Sequence, residues 1–433
     1  MPKTVIIGAG SGFGTRLSID ILAYPELREG TIALVDIDPE QLAPATAFVE
    51  KVVALHGAPV NVIGTTDRRE VLEGADFVVV AIAVGGPAYN GVPYYYEINI
   101  PSKYGISQDV GDTLGPGGIF RALRTAPEMV AIARDMEELC PNALLLNYTN
   151  PMAMLCWILN EASTVRNVGL CHSVQGTTAQ LAGYMGKPLA EIGARVAGLN
   201  HMAWFLELTW KGQDAYPILR QAMEDPEIYA KDIVRFEIFR HFDYFVTESS
   251  RHMSEYVPYF RKNAQALEQF GIKQRQPEKE PARRGRFWED SPLSRQLAGK
   301  EPINLKGSHE YASHIIHSVW TDTPGRINGN VRNSGCISNL PPECCVEVPC
   351  LVDRMGIQPC CMGALPTQLA ALNAANVAVQ SLTVQAFLEK DRRKAYHALL
   401  LDPVTAAICT PAQIKSLFDE MCAALRDWIP WLG

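Results

Sequence analysis

A chain of 433 residues is too long for one small core and implies two closely joined domains. Its 47% hydrophobic and 20% charged residues suit an ordinary soluble globular protein, and no apolar run approaches the ~18–20 residues that span a bilayer. A net charge of −8 argues against a surface built to neutralise a nucleic-acid backbone, so the expected partner is a small molecule.

The opening "MPKTVIIGAG" enters a strand at once, without the apolar region and cleavage site of a secretory signal. Strands are predicted at 4–10, 31–37, 60–66, 76–84, 143–149 and 167–172, rich in Val, Ile and Leu without alternation, as strands buried on both faces are. Helices are predicted between them at 15–23, 39–55 and 121–139. The alternation reads as α/β: a Rossmann-like, doubly wound sheet over residues 1–175. Residues 176–433 read as a mixed α+β domain, with helices near 176–185, 227–242, 365–390 and 411–427 and short strands near 195–209, 327–337 and 344–352. The charged, proline-broken stretch 271–291 reads as a surface loop.

Eleven cysteines at irregular spacings, with adjacent pairs at Cys344–Cys345 and Cys360–Cys361, do not form a disulfide framework. Reduced thiols and a cytoplasmic home are expected, and a thiolate ligand survives in such a compartment.

"VIIGAGSGFG" (5–14) follows a strand and opens a helix, where a dinucleotide turn belongs. Gly8 allows the tight turn, Gly10 lets backbone approach a pyrophosphate, and the helix N-terminus offers amide donors to the anion. Strict GxGxxG fails, because its third glycine position holds Phe13. Asp36, ending the next strand, has the spacing to bind a ribose 2′-hydroxyl and to repel a 2′-phosphate, which favours NAD over NADP. Contacts to NAD are expected from Gly8, Gly10, Ser11, Gly12, Phe13, Asp36 and Ile37. The bland alternative is a glycine-rich turn that binds nothing.

Four further segments carry candidate chemistry. "VGLCHSVQG" sets Cys171 and His172 in a polar turn after the last predicted strand, and "AGLNHMAWF" places His201 in a strand-like segment. One thiolate and one imidazole would make an open metal site of catalytic type, although a lone cysteine is more often a small buried hydrophobe. "DVGDTLGPGGIFRALRT" puts Asp112 before a glycine-rich helix start, as a cap or as an acid or base. Arg121 and Arg124 on that helix could orient hydroxyls or face water. "NYTNPMAM" places Asn150 before Pro151, which keeps it out of the helical region so that its amide can point into a cleft. "VTESSRHMSEYVPYF" concentrates His252, Glu255, Tyr256 and Tyr259, at a site or at an aromatic core edge.

"GDTLGPGGI", "NYTNPMAM", "GLCHSVQG", "GLNHMAWF", "VTESSRHMSEYVPYF" and "GNVRNSGCISNLP" occur in the order seen in glycoside hydrolase family 4. The chain resembles that family along essentially its whole length. "CHSV" at 171–174 resembles the members acting on unphosphorylated α-glycosides, and the long match including "CCVEV" at 344–348 most resembles those acting on α-galactosides. The resemblance implies a lactate/malate-dehydrogenase-like fold with NAD and Mn2+ as cofactors, and an exception to the two-carboxylate rule of glycosidases.

By the same resemblance, Cys171 and His201 match metal ligands, and Asn150 matches a contact to substrate and cofactor. Arg124 and His172 fall among the substrate contacts, and Asp112 matches the residue that serves the leaving group. Tyr256 matches the base, with Glu255 and His252 as competitors. The implied route oxidises the sugar at C3, removes the C2 proton, eliminates across C1–C2, adds water and restores the hydride. A homodimer or homotetramer is expected.

α-Glucosides and α-uronides are alternative substrates. The competing class is an NAD-dependent hydroxy-acid or sugar dehydrogenase, which would accumulate NADH; a non-catalytic NAD-binding regulator would leave Asp112, Asn150 and Tyr256 without work.

Overall fold

A computed structural model describes residues 1–86, 92–273, 288–289, 291–308 and 310–433. The described residues form twelve strands: β1 (Lys3–Ile7), β2 (Gly30–Val35), β3 (Val60–Thr65), β4 (Phe77–Val80), β5 (Leu144–Asn147), β6 (Asn167–Gly169), β7 (Ile192–Leu199), β8 (Met202–Trp210), β9 (Gln213–Asp214), β10 (Gly325–Arg332), β11 (Cys345–Asp353) and β12 (Gly356–Pro359). β1 to β6 run parallel in the order β3-β2-β1-β4-β5-β6, the order of a dinucleotide-binding sheet. β4 and β5 are buried at every position, which is why their sequences show no alternation.

The sheet does not stop at β6. β10 pairs antiparallel with it, Asn330 opposite Gly169, and the sheet continues through β11, β7, β8 and β9, with β12 on β11. The division near residue 175 thus separates stretches of chain but not sheets. Helices Gly115–Leu139, Met152–Ala162 and Thr367–Glu389 pack on one another, and the first two are packed to their N-terminal turns with buried residues. No helix among the described residues is long and apolar enough to cross a membrane. All eleven cysteines are free thiols.

Three local readings change. The strand-like segment around His201 is a hairpin: β7 and β8 are joined by Asn200–His201, and His201 sits in the turn with φ +62°. The helix expected at 227–242 is two, Pro226–Tyr229 and Ile233–Phe242, separated where the non-helical backbone of Asp232 turns its carboxylate onto buried Arg235. Helix Val92–Lys103 was not anticipated, because its tyrosine run and two prolines obscure the helical period. Residues 274–287 and 290 of the 271–291 stretch lie outside the described residues, but Trp288 is buried, and its indole N–H donates to the Gly10 carbonyl at 3.0 Å.

Candidate active site

The first βα turn is shaped by what its glycines lack. Gly8 has φ +88°, and a Cβ there would lie 2.3 Å from the Ala81 carbonyl oxygen. At Gly10 a Cβ would lie 2.7 Å from Asp36 Oδ2, the atom that accepts the Gly10 N–H at 2.8 Å. The close helix–strand approach expected of a third glycine is made by Gly14, where a Cβ would lie 2.7 Å from Ala9 Cα; the motif is displaced by one residue, not lost. Ser11 opens helix Gly12–Leu22 without capping it, its hydroxyl donating instead to the Gly8 carbonyl. Among the described residues Ser11 thus leaves the first-turn amides uncapped, as an anion site requires. Phe13 packs on Tyr148 with ring centroids 4.6 Å apart, and Ile37 stands 91% exposed beside Asp36. The turn fits a dinucleotide.

A second set of residues meets where the ends of β5 and β6 open onto the β7–β8 hairpin. Cys171 follows β6 and is buried; His201 is buried in the hairpin turn. Sulfur, imidazole and a carboxylate oxygen of Cys171, His201 and Glu248 lie within 4.8 Å of one another, and a second group, Asp112, His201 and His252, meets the same limit. The tautomer of His201 follows from its neighbours. Thr113 donates its hydroxyl proton to Asp112 Oδ1 at 2.8 Å, so at 2.9 Å from His201 Nδ1 it acts as acceptor of the ring N–H. Once His201 gives up its second proton, the Nε2 lone pair is left for a metal, with Nδ1–H held by Thr113 and, through it, by Asp112. Asp112 Oδ2 accepts from the Asn150 amide at 3.1 Å, and Asn150 Oδ1 accepts from the Met152 N–H at 3.2 Å. Asp112 is not a helix cap, since Asp402 takes the Gly115 N–H at 3.0 Å.

Charge is arranged tightly here. Burial raises the Cys171 thiol, but the facing His201 outweighs it and holds the thiol below its ordinary value. Burial works against protonated His201, yet Cys171, Glu248 and Asp112 raise it to about 10. Asp112 is held low despite burial by His201, His252 and Arg121, so it is a carboxylate in the protein alone. Burial and His201 hold His252 neutral, whereas burial with Asp112 and Glu255 pushes the Tyr256 phenol well above its ordinary value.

Asp112, Asn150, Cys171, His201, His252 and Tyr256 are thus brought together, Tyr256 Oη lying 3.4 Å from His201 Nδ1. Arg124 and His172 are engaged elsewhere. Arg124 grips buried Glu97 through two nitrogens and bonds the Val84 carbonyl, and His172 faces solvent and pairs with Glu310 at 3.1 Å. Glu255 is also spent: it accepts the Asp109, Val110 and Gly111 amides at 2.6, 3.0 and 3.1 Å, anchoring the Asp112 loop.

Three residues escaped the sequence reading: Thr113, Glu248 and Glu347. Glu248 lies in a quoted motif but has no spacing signal. Glu347, inside "CCVEV", is fully buried on β11, and neither carboxylate oxygen has a hydrogen-bond partner. Burial and the nearby Cys171 raise its carboxyl well above the ordinary range. A carboxyl placed there without a partner fits a neighbouring cation, as does the S/N/O donor set, which suits a divalent metal without singling one out.

The fold is lactate/malate-dehydrogenase-like. A malate dehydrogenase of Cryptosporidium parvum superposes with a TM-score of 0.53 at 15% identity, covering 90% of this chain and all of that one. The sequence profile of the family 4 glycosyl hydrolases matches residues 3–187, and that of their C-terminal domain matches residues 196–405. The chain belongs to glycoside hydrolase family 4. An α-galactosidase of Bacillus subtilis is 39% identical over 99% of both chains, and one of Rhizobium meliloti is 35% identical over 99% of this chain and 89% of its own. A 6-phospho-beta-glucosidase of Thermotoga maritima, solved with manganese, NAD+ and glucose-6-phosphate, has a TM-score of 0.77 at 22% identity over 98% of this chain and 99% of its own.

Proposed function

We propose that the protein hydrolyses unphosphorylated α-galactosides with NAD and a divalent cation, Mn2+ first among them. The observation that carries this reading is the meeting of Asp112, Thr113, His201 and Cys171 beside a dinucleotide turn. The full-length likeness to two α-galactosidases supports the sugar, and the manganese and NAD+ of the Thermotoga structure support the cofactors. Residues 1–175 would carry the dinucleotide through Gly8, Gly10, Ser11, Gly12, Phe13, Asp36 and Ile37, and residues 176–433 would complete the metal and substrate site. The setting proposed is the cytoplasm, where eleven free thiols persist.

When bound, NAD supplies reversible hydride exchange at C3 of the sugar, and the cation supplies Lewis-acid stabilisation of charge on its oxygens. Cys171 and His201 would hold the cation. Asn150 steers Asp112, which passes a proton to the departing C1 oxygen and must first acquire one. Tyr256 is the proposed base at C2, and its buried phenol must lose a proton against two carboxylates. His252, already neutral, competes for that role.

A panel of nitrophenyl α-glycosides with NAD+, Mn2+ and a reductant tests the reading. Cleavage of the galactoside without net NADH formation is expected; NADH rising in step with product would identify a dehydrogenase. A substrate deuterated at C2 should react more slowly or exchange with solvent. Normal turnover of Tyr256→Phe alongside a dead His252→Gln would move the base to His252.

A further inference from the structure

Glu248 is held in place with unusual force for a residue at the end of a loop. Its φ is +76°, a left-handed conformation that strains a non-glycine residue and persists only where surroundings dictate it. The surroundings do so from two sides. Val246 forms a bridge with Trp204 of β8, and the Thr247 N–H donates to the Ala203 carbonyl at 2.9 Å while its hydroxyl accepts the Ala203 N–H at 3.1 Å. The Glu248 N–H donates to Thr177 Oγ1 at 3.2 Å, on the helix Ser173–Met185 that begins just after Cys171. Glu248 is therefore clamped between the hairpin that presents His201 and the helix that follows Cys171.

Its carboxylate is held but not satisfied by its neighbours. Oε2 lies 3.9 Å from His201 Nε2 and Oε1 lies 3.5 Å from His252 Nδ1, both long for hydrogen bonds. His252 Nδ1 is already within 2.9 Å of Ser249 Oγ. Donors bound to one metal at about 2.0–2.3 Å lie roughly 3–4 Å from each other. The Cys171–His201–Glu248 set needs little contraction to reach that spacing.

The alternative set, Asp112 with His201 and His252, is less available, because both Asp112 oxygens accept hydrogen bonds, from Thr113 and from Asn150. It would also take the acid assigned to the leaving group.

We infer that Glu248 is a third protein ligand of the divalent cation, completing a thiolate–imidazole–carboxylate set. The inference rests on the metal-dependent reading above and deepens it: three protein donors leave fewer positions for sugar oxygens and water than two would.

The test is direct binding. Mn2+ is titrated into the full-length protein with NAD+ present, and free Mn2+ is followed by its EPR signal. Glu248→Gln is expected to weaken Mn2+ binding by at least ~10-fold, the lower bound for residues that merely support a ligand. NAD+ affinity and the metal-free unfolding midpoint should not change. Glu248→Asp should recover part of the loss. Wild-type affinity in Glu248→Gln overturns the third ligand alone and leaves the metal reading intact. A wild-type protein that binds no Mn2+ overturns both. If Glu248→Gln is unstable, the Co2+ complex of Glu248→Asp serves instead: an absorption spectrum identical to wild type in energy and intensity overturns the assignment.

Discussion

The dinucleotide turn and the donor cluster share one edge of one sheet and are built in opposite ways. The turn comes from residues 8–14 and Asp36, and its geometry is set by backbone and by missing side chains: Gly8 under the Ala81 carbonyl, Gly10 against Asp36, Gly14 against Ala9. The cluster draws side chains from five separate stretches of chain: 112–113, Asn150 after β5, Cys171 after β6, His201 in the β7–β8 hairpin, and Glu248, His252 and Tyr256 from one stretch. Its precision comes from side-chain hydrogen bonds and from two residues, His201 and Glu248, in left-handed backbone. The turn should therefore fail when atoms are added, and the cluster when they are removed.

Cys171→Ser gives the largest expected effect. A serine hydroxyl stays protonated at neutral pH, so Mn2+ binding and turnover should fall together by more than the ~100-fold typical of a residue behind a ligand. NAD+ affinity, read by protein fluorescence, should be unchanged; a loss of both would mean that the two regions are not separable. Gly10→Ala is the reverse experiment. The new Cβ would meet Asp36 Oδ2 and Gln41 Cβ, both at 2.7 Å. Relieving such a clash costs ~1–3 kcal/mol, so NAD+ should bind about 10- to 100-fold more weakly with Mn2+ binding intact. Unaltered NAD+ affinity would take the turn out of cofactor binding.

The same contrast explains how much could be read in the sequence. The inner parallel strands are legible because burial on both faces writes itself as continuous apolar runs, and the turn because its parts are contiguous; β3, with no fully buried position, shows only its Val and Ile residues. Cys171, His201, Asp112, Asn150 and Tyr256 were assigned by likeness to a family; spacing alone cannot show that positions 112, 171 and 201 meet. Thr113 and Glu248 stayed hidden because what recommends them, a hydroxyl between a carboxylate and an imidazole and a left-handed backbone, exists only in three dimensions. The turn position of His201 was missed because two apolar strands with a two-residue link look like one long strand. Glu347 was quoted for its motif without its isolation being visible.

Thr113→Val sharpens the comparison within the cluster. It removes the acceptor for His201 Nδ1–H and the donor to Asp112 while leaving every proposed ligand in place. Mn2+ binding should weaken by about 10-fold, the low end of the range for residues behind a ligand, because Tyr256 Oη at 3.4 Å can take over as acceptor. A loss as deep as that of Cys171→Ser would place Thr113 itself on the cation. Affinity equal to wild type would mean that the hairpin turn alone fixes the imidazole.

The smallest effect tests whether either region leans on its periphery. Asp135 joins Arg68 and Arg69 to helix Gly115–Leu139, whose start follows Asp112. Burial raises its carboxyl, but hydrogen bonds from the two arginines and their charge together hold it below the ordinary 3.8. A carboxyl lowered on folding contributes stability above its unfolded pKa and loses it as pH falls through the folded one. Asp135→Asn should therefore lower the unfolding midpoint at pH 7 by no more than about 2 °C, since ion pairs still open to solvent on the arginine side are weak and salt-screened. The difference from wild type should close as the pH is taken below 3.8, and Mn2+ and NAD+ affinities should match wild type throughout. A change in Mn2+ affinity would instead show that the long helix transmits strain from its surface ion pairs to the Asp112 loop. The independence of the two regions would then be a property of their local contacts only.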